Sequence, residues 1–189
     1  MSLLAPSRLF DRVAVLARPC PVPMRAGVYG WYFRQTPPAV PVDGCQTFGG
    51  LSLLYIGISP RRMNGLVSRQ SLRSRIRYHF RGNAEGSTLR LTLGCLLADD
   101  LGIQLRRVGG GSRLTFGKAG EGRLSEWMSE NALVTWIEHP EPWLHEVELL
   151  RSISVPLNLD ANAHHPFWPR LRAVRADAKA MARSLPILE

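Results

Sequence analysis

Two short apolar segments constrain what this chain can fold into more than anything else in it. GVYGWYF at 27–33 is built from aromatic and branched residues, the composition of a strand. LSLLYIGI at 51–58 is apolar on both faces, so it reads as a strand in the middle of a sheet. QTPPAVPVDGCQTFGG (35–50) joins them as a loop rich in proline and glycine. Two strands in so short a stretch of chain pair antiparallel.

A third strand is predicted at 133–139, where LVTWIEH alternates. The other elements are helical. SLRSRIRYHF (71–80) spaces Leu72, Ile76 and Phe80 four apart, and STLRLTLGCLLADDLG (87–102) ends at Gly102. LSEWMSENA (124–132) is a short helix. PEPWLHEVELLRSI (140–153) opens on proline, which the first helical turn accepts. RLRAVRADAKAMARSL (170–185) is the last. IQLRRV and RLTFG flank GGGS as a hairpin, SPRRMNGLVSRQ (59–70) is a basic loop and VPLNLDANAHHPFWP (155–169) a second loop. RPCPVPMRA (18–26) is a connector. The segment before it reads as a short amphipathic helix, too interrupted by Arg8, Asp11 and Arg12 for a signal peptide. With 189 residues, 45% of them apolar, a single domain over 1–189 can bury a core.

The formal net charge of +9 favours a polyanionic partner, nucleic acid first and an anionic membrane surface second. No apolar run approaches the roughly 20 residues that span a bilayer, so no membrane is expected. Cys20, Cys45 and Cys95 are odd in number and far apart, without a CxxC pair. That argues against a disulfide framework or a zinc ribbon and for a reducing, cytoplasmic setting. The last helix carries an apolar stripe (Leu171, Val174, Ala178, Met181, Leu185) and a basic one (Arg172, Arg175, Lys179, Arg183). The basic stripe is either a solvated outer face or a set of phosphate contacts.

Two patterns carry chemistry. At about 100° per residue, Glu146 falls inside the apolar stripe of 140–153, between Leu149 and Ile153 on one side and Trp143, Val147 and Leu150 on the other, while Glu148 lies on the polar side. An inward carboxylate is costly unless it pairs with a cation, such as an arginine, or binds a metal. Arg75 and His79 are four apart and share a face at the edge of the Leu72–Ile76 stripe. A guanidinium grips phosphate oxygens in a fork, and an imidazole beside it can donate to phosphate or move a proton. A basic helix rim would look the same.

Taken together, these residues resemble the GIY-YIG nucleases. Gly27-Val28-Tyr29 is similar to the first half of the signature, with valine for isoleucine, and Tyr55-Ile56-Gly57 is an intact second half. Arg75 and His79 stand in the following helix, Glu146 in a later one, and Asn158 follows in Pro156-Leu157-Asn158. The resemblance covers roughly 27–80 and 133–160. It implies an α/β (α+β) fold: a small, mostly antiparallel three-stranded sheet flanked by helices. Residues 81–124 would be an insertion, and the helix at 170–185 an addition. The implied activity is metal-dependent endonucleolytic hydrolysis of phosphodiester bonds in DNA, with RNA as a possible substrate. Tyr29 would be the general base, its phenolate favoured by Arg75. Tyr55 and His79 would position water or phosphate. Glu146 would hold Mg²⁺ (or Mn²⁺), and Asn158, Gly27 and Gly57 would support the site. Further nucleic-acid contacts are expected from Arg61, Arg62, Arg73, Arg77, Arg172 and Arg175. No small-molecule cofactor is implied. Two other readings are a catalytically silent nucleic-acid-binding module of the same fold and a protein-interaction domain built on 81–124.

Other motifs fail. In GGGSRLTFGKAG five residues separate Gly111 from Gly117 and alanine follows Lys118, which does not make a phosphate loop. Neighbouring His164 and His165 tend to point apart and have no cysteine nearby for a metal. Neither a nucleophile elbow nor a dinucleotide fingerprint is present.

Overall fold

Both aromatic segments become strands of one sheet, and their pairing sets the rest. The computed structural model describes residues 2–63 and 66–188. In chain order the elements are α1 (Arg12–Leu16), β1 (Gly27–Phe33), β2 (Thr47–Phe48), β3 (Leu51–Ser59), β4 (Arg62–Met63), β5 (Leu66–Val67), α2 (Leu72–Arg81), α3 (Thr88–Leu96), α4 (Ala98–Leu101), β6 (Arg106–Val108), β7 (Arg113–Thr115), α5 (Gly117–Asn131), β8 (Ala132–Glu138), α6 (Pro142–Ser152) and α7 (Trp168–Ser184). The main sheet is antiparallel in the order β2-β3-β1-β8. The three expected strands form its body, and the two-residue β2 adds a short edge inside the predicted loop. Two separate hairpins, β4-β5 and β6-β7, stand outside it.

The sheet is covered on both faces, which is why β1 is buried along its whole length. Tyr29, Trp31, Phe33 and Tyr55 face a cluster with Leu72, Ile76 and Phe80 of α2, Leu89 and Leu93 of α3, and Leu124 and Met128 of α5. Val28, Tyr32, Leu53, Ile56 and Ile58 face the other way, onto Leu149 and Leu150 of α6. Pairing of β1 with β3 slips between Trp31 and Tyr32, where Tyr55 opposes Trp31 but Leu53 opposes Tyr32. Leu54 is the extra residue of this bulge, and it joins Tyr55 on the first face instead of alternating away from it.

Each long edge is capped at one point. Phe10 exchanges backbone hydrogen bonds with Val134 on the outer side of β8, both at 2.9 Å. Leu157 donates to the Leu54 carbonyl on the outer side of β3 at 3.0 Å. These contacts pair some of the donors and acceptors that make a sheet edge sticky.

The segment 81–124 is organised around one buried ion pair. Arg90, fully buried in α3, donates to Glu121 Oε2 from Nε at 3.0 Å and from Nη2 at 2.6 Å. Its Nη2 also reaches the Glu121 carbonyl at 2.8 Å. Glu121 Oε1 accepts from the backbone of Ala84 at 2.8 Å and of Phe116 at 3.2 Å. One carboxylate thus ties the α2–α3 connection, α3 and the start of α5 together.

Several boundaries differ from expectation. The helix predicted at 124–132 starts at Gly117. Its first turns hold three glycines, which propensity disfavours, but the Arg90–Glu121 pair and the buried Leu124, Trp127 and Met128 hold it. The helix predicted at 87–102 breaks at Leu97 into α3 and α4, and Gly102 closes α4 in the left-handed region. The N-terminal helix is only five residues, capped by Asp11. On α7, Met181 faces out at 52% exposure while Ala182 is buried, and on α6 Val147 is 39% exposed. Both apolar stripes are therefore narrower than the helical wheels suggest.

Arg90→Ala should cost about 3–5 kcal/mol, the range for stranding one partner of a buried pair. Urea denaturation measures it, and a loss under about 1 kcal/mol would mean that the pair behaves as a solvated one.

Candidate active site

The signature tyrosines are neighbours across β1 and β3. Tyr29 opposes Gly57, and Trp31 opposes Tyr55. The Tyr29 ring lies across Gly57, where a Cβ would fall 2.6 Å from the phenolic oxygen. Any side chain at 57 would push Tyr29 out of place. Gly27 is similarly confined, because a Cβ there would strike the Ile137 carbonyl of β8.

α2 brings Arg75 and His79 beneath these rings. Its start is fixed by Ser71, whose side chain caps the Ser74 N–H in a reciprocal box. Arg75 and His79 are not at a rim: they are 6% and 0% exposed. His79 Nε2 lies 2.8 Å from the Tyr29 hydroxyl and Nδ1 lies 2.7 Å from Ser87 Oγ. Trp31 and Tyr55 set their ring planes edge-on to the imidazole. Burial, then the cations Arg75, Arg61 and Arg90, hold the His79 pKa well below the usual imidazole value, so this histidine is neutral at pH 7. Arg75 Nη1 donates to the Gly86 carbonyl at 2.7 Å, and its Nε is buried without a hydrogen-bond partner among the described residues.

The tyrosines respond to the same surroundings. Burial raises the Tyr29 pKa, while Arg75 beside it pulls in the opposite direction. The Tyr55 pKa is raised too, by burial and then by Tyr29. Glu146 comes from α6, on the other face, yet its charge is felt by both tyrosines and by Arg61. Its carboxyl pKa is raised to about 7, first by burial, against the pull of Arg61. Arg61 itself is half-buried. Burial opposes its charge, but Tyr55, Tyr29 and Glu146 more than offset that and raise its pKa.

Asn158 holds β3 from outside. Its Oδ1 accepts the Ile56 N–H at 3.0 Å, and its Nδ2 donates to the Ile56 carbonyl at 2.8 Å. The amide acts as one residue of an extra strand, beside the Tyr55-Ile56-Gly57 signature.

The arrangement is a phenol, an imidazole, a guanidinium and a partly buried carboxylate gathered at one end of a sheet. A family model described as the GIY-YIG catalytic domain matches residues 27–177. The chain belongs to that family. No curated protein and no solved structure matches it. The GIY-YIG match extends through 81–124, so that segment lies within the matched domain.

Other expected residues of this GIY-YIG chain divide. Arg61 joins the site. Arg62 is exposed and stacks over the Trp143 ring at 5.6 Å. Arg73 donates to the Val22 carbonyl at 2.6 Å and Arg77 to the Val15 carbonyl at 2.9 Å, so both pin the N-terminal segment. Arg172 and Arg175 line a cleft on α7. His164 is exposed and His165 buried, and both line one pocket with Ser154. His165 Nδ1 accepts from the Phe167 N–H, which leaves Nε2 to donate to Ser154, so Ser154 has no base there. Sequence reasoning missed Gly86 and Ser87. Only the N-cap position of Ser87 before an apolar helix was readable, and it does not point to a site.

Glu146, which also feels the charge of Asp160, is the carboxylate that could hold a metal implied by the family; no cluster of three or more acidic, histidine or cysteine side chains occurs among the described residues. The chemistry fits. Glu146 is a partly buried carboxylate with no hydrogen bond or ion pair among the described residues, and a hard oxygen donor of this kind suits a cation that keeps most of its waters.

Because burial raises the Glu146 pKa in the folded protein, its contribution to stability is full below the unfolded value near 4.5 and is lost as pH rises through about 7. Glu146→Gln should therefore melt close to the wild type at pH 5 and gain roughly 1–3 kcal/mol over it at pH 8 in the presence of a chelator. Equal stability of the two proteins at both pH values would show that Glu146 is freely solvated.

Proposed function

We propose that this chain is a metal-dependent endonuclease that hydrolyses phosphodiester bonds in DNA. The observation that carries the reading is the Tyr29 hydroxyl held at 2.8 Å by a buried neutral histidine and flanked by Arg75, with the Glu146 carboxylate in electrostatic reach. Arg75 binds a phosphate oxygen of the scissile group, its Nε having no hydrogen-bond partner among the described residues. Tyr29 accepts the proton of the attacking water, and Tyr55 and His79 fix its orientation. Glu146 would hold a divalent cation, whose charge would stabilise the leaving oxygen. Since the phenolate is the competent base, burial of Tyr29 works against it and Arg75 works for it.

The flanking nucleic acid is bound along α7. Arg172, Arg175, Lys179 and Arg183 recur at spacings of three and four and line a cleft of about 270 Å³ together with Leu159 and Ala176. No ion pair neutralises any of the four among the described residues. Arg175 is half-buried, its Nε has no partner among the described residues, and its charge interacts with Tyr55, which links the cleft to the site. Unpaired cations gathered in a concavity favour phosphates as their counter-charge. Arg73 and Arg77 are left out of this surface because they hold the N-terminal segment.

Purified wild type and Glu146→Ala, each with plasmid and Mg²⁺, test the activity. Nicking or cutting by the wild type alone is expected. Equal activity would remove Glu146 from the site, and salt-sensitive binding with no cleavage by either would favour the silent binding module.

Arg75→Ala should abolish cleavage while leaving most DNA affinity, and a loss of affinity as large as the loss of rate would count against its role. On α7, replacing Arg172, Lys179 and Arg183 together by alanine should reduce the slope of log affinity against log salt by roughly 2–3 units. An unchanged slope would return this helix to a solvated face.

A further inference from the structure

The phenolate that Tyr29 needs is disfavoured by burial, so the direction of its hydrogen bond to His79 matters. Tyr29, His79 and Ser87 are each 0% exposed and form one chain: Tyr29 Oη to His79 Nε2 at 2.8 Å, and His79 Nδ1 to Ser87 Oγ at 2.7 Å. Ser87 Oγ also accepts the Arg90 N–H at 3.1 Å as the N-cap of α3. A neutral imidazole carries one N–H, so the chain can run in only two directions. With the proton on Nδ1, Ser87 accepts two N–H groups and its own hydrogen has no acceptor among the described residues. With the proton on Nε2, Ser87 donates to Nδ1 while still capping α3, and His79 donates to the Tyr29 oxygen.

In the second arrangement the hydrogen left over is the phenolic one of Tyr29, at the reacting end of the chain. Removing it leaves every remaining donor of this three-residue chain satisfied, with Nε2–H and the Arg75 guanidinium both on the side of the phenolate. In the first arrangement the stranded hydrogen sits on Ser87, away from any reactant, and nothing in the reaction relieves it. We propose that Ser87 is a positioning residue of the active site: its hydroxyl, by donating to His79 Nδ1, holds His79 as an Nε2–H donor to the Tyr29 oxygen. The nearby Gly86 carbonyl fixes Arg75 from the same turn, so residues 86–87 orient both groups that favour the phenolate. This inference rests on the nuclease reading for its consequence but not for its geometry.

Nitrogen-15 NMR of the imidazoles in the wild-type protein tests the geometry without any substrate. A protonated Nε2 and unprotonated Nδ1 at His79 are expected, and the opposite tautomer overturns the proposal. Ser87→Ala should lose this single tautomer and lower kcat by about 10–100-fold with KM little changed, the size of effect that loss of an orienting partner produces elsewhere. Ser87→Thr keeps the hydroxyl and should restore both. Ser87→Asp keeps a helix cap but cannot donate as a carboxylate, so it should give the Nδ1–H form and a kcat as low as the alanine variant. If Ser87→Ala melts lower but keeps the wild-type tautomer and kcat, Ser87 is a helix cap only and the proposal fails. If either substitution prevents folding, the wild-type tautomer alone decides. A wild type that cleaves no nucleic acid but shows the Nε2–H form would sink the nuclease reading and leave the hydrogen-bond direction standing.

Discussion

The buried pair between Arg90 and Glu121 is the interaction on which the site depends. Arg90 belongs to α3 and Glu121 to α5, and α5 runs directly into β8, the strand beside β1. The pair therefore locks the turn at 82–87 against the sheet's own framework. Arg90 Nη1 also reaches the His79 carbonyl at 3.3 Å, which ties the end of α2 to the same anchor. A buried pair of this kind need not add much net stability, since desolvation offsets its attraction. What it supplies is position. With Ser87 and Gly86 held in one turn, the two side chains of α2 that face the tyrosines have fixed partners.

That arrangement explains how polar groups survive on the apolar face of a sheet. A guanidinium and an imidazole inside a cluster of leucines and aromatics would be costly without partners. Arg75 finds the Gly86 carbonyl, and His79 finds Ser87 and Tyr29. Burial also sets the chemical state. It keeps His79 neutral, which makes it a hydrogen-bond director and not a charge, and it strengthens the effect of Arg75 on Tyr29 because little water screens it. The Glu146 carboxylate arrives from the opposite face, so the site forms at the end of the sheet where two layers of helices both reach. Neither layer could assemble it alone.

Much of this was legible in the sequence, for identifiable reasons. The strands at 27–33, 51–58 and 133–139 follow from residue type and pattern, because buried strands leave a dense apolar signature. The i, i+4 pair Arg75 and His79 and the inward phase of Glu146 follow from helix geometry. Their depth did not. A helical wheel shows that Arg75 borders a stripe but not that another segment covers it. Ser87, Arg90 and Glu121 were illegible because each is unremarkable among its neighbours, and their meaning lies in contacts across 8 to 37 residues of chain. The Leu54 bulge was hidden for a related reason: in LSLLYIGI every candidate residue is apolar, so a one-residue slip leaves no trace in the pattern. α5 was cut short because three glycines weakened its local signal where tertiary contacts decide.

The segment 81–124 is the point on which sequence and structure differ most in meaning. Read by itself it is an insertion, or the body of a protein-interaction domain. The hydrogen bonds assign it a different role, because residues 86 and 87 complete the surroundings of Arg75 and His79 and Glu121 holds them there. Such a segment cannot vary as freely as a target-reading loop, since a shift of its first turn would move the phenol's partner as well as its own surface. Freedom to recognise a nucleic acid is greater where side chains are not committed to the core. The cleft on α7 and the basic residues after β3 meet that condition, and both lie within electrostatic reach of Tyr55 through Arg175 and Arg61. In the proposed reading the division of labour is physical: buried donors with fixed partners would set the chemistry, and cations without an ion pair among the described residues would set how the strand is held.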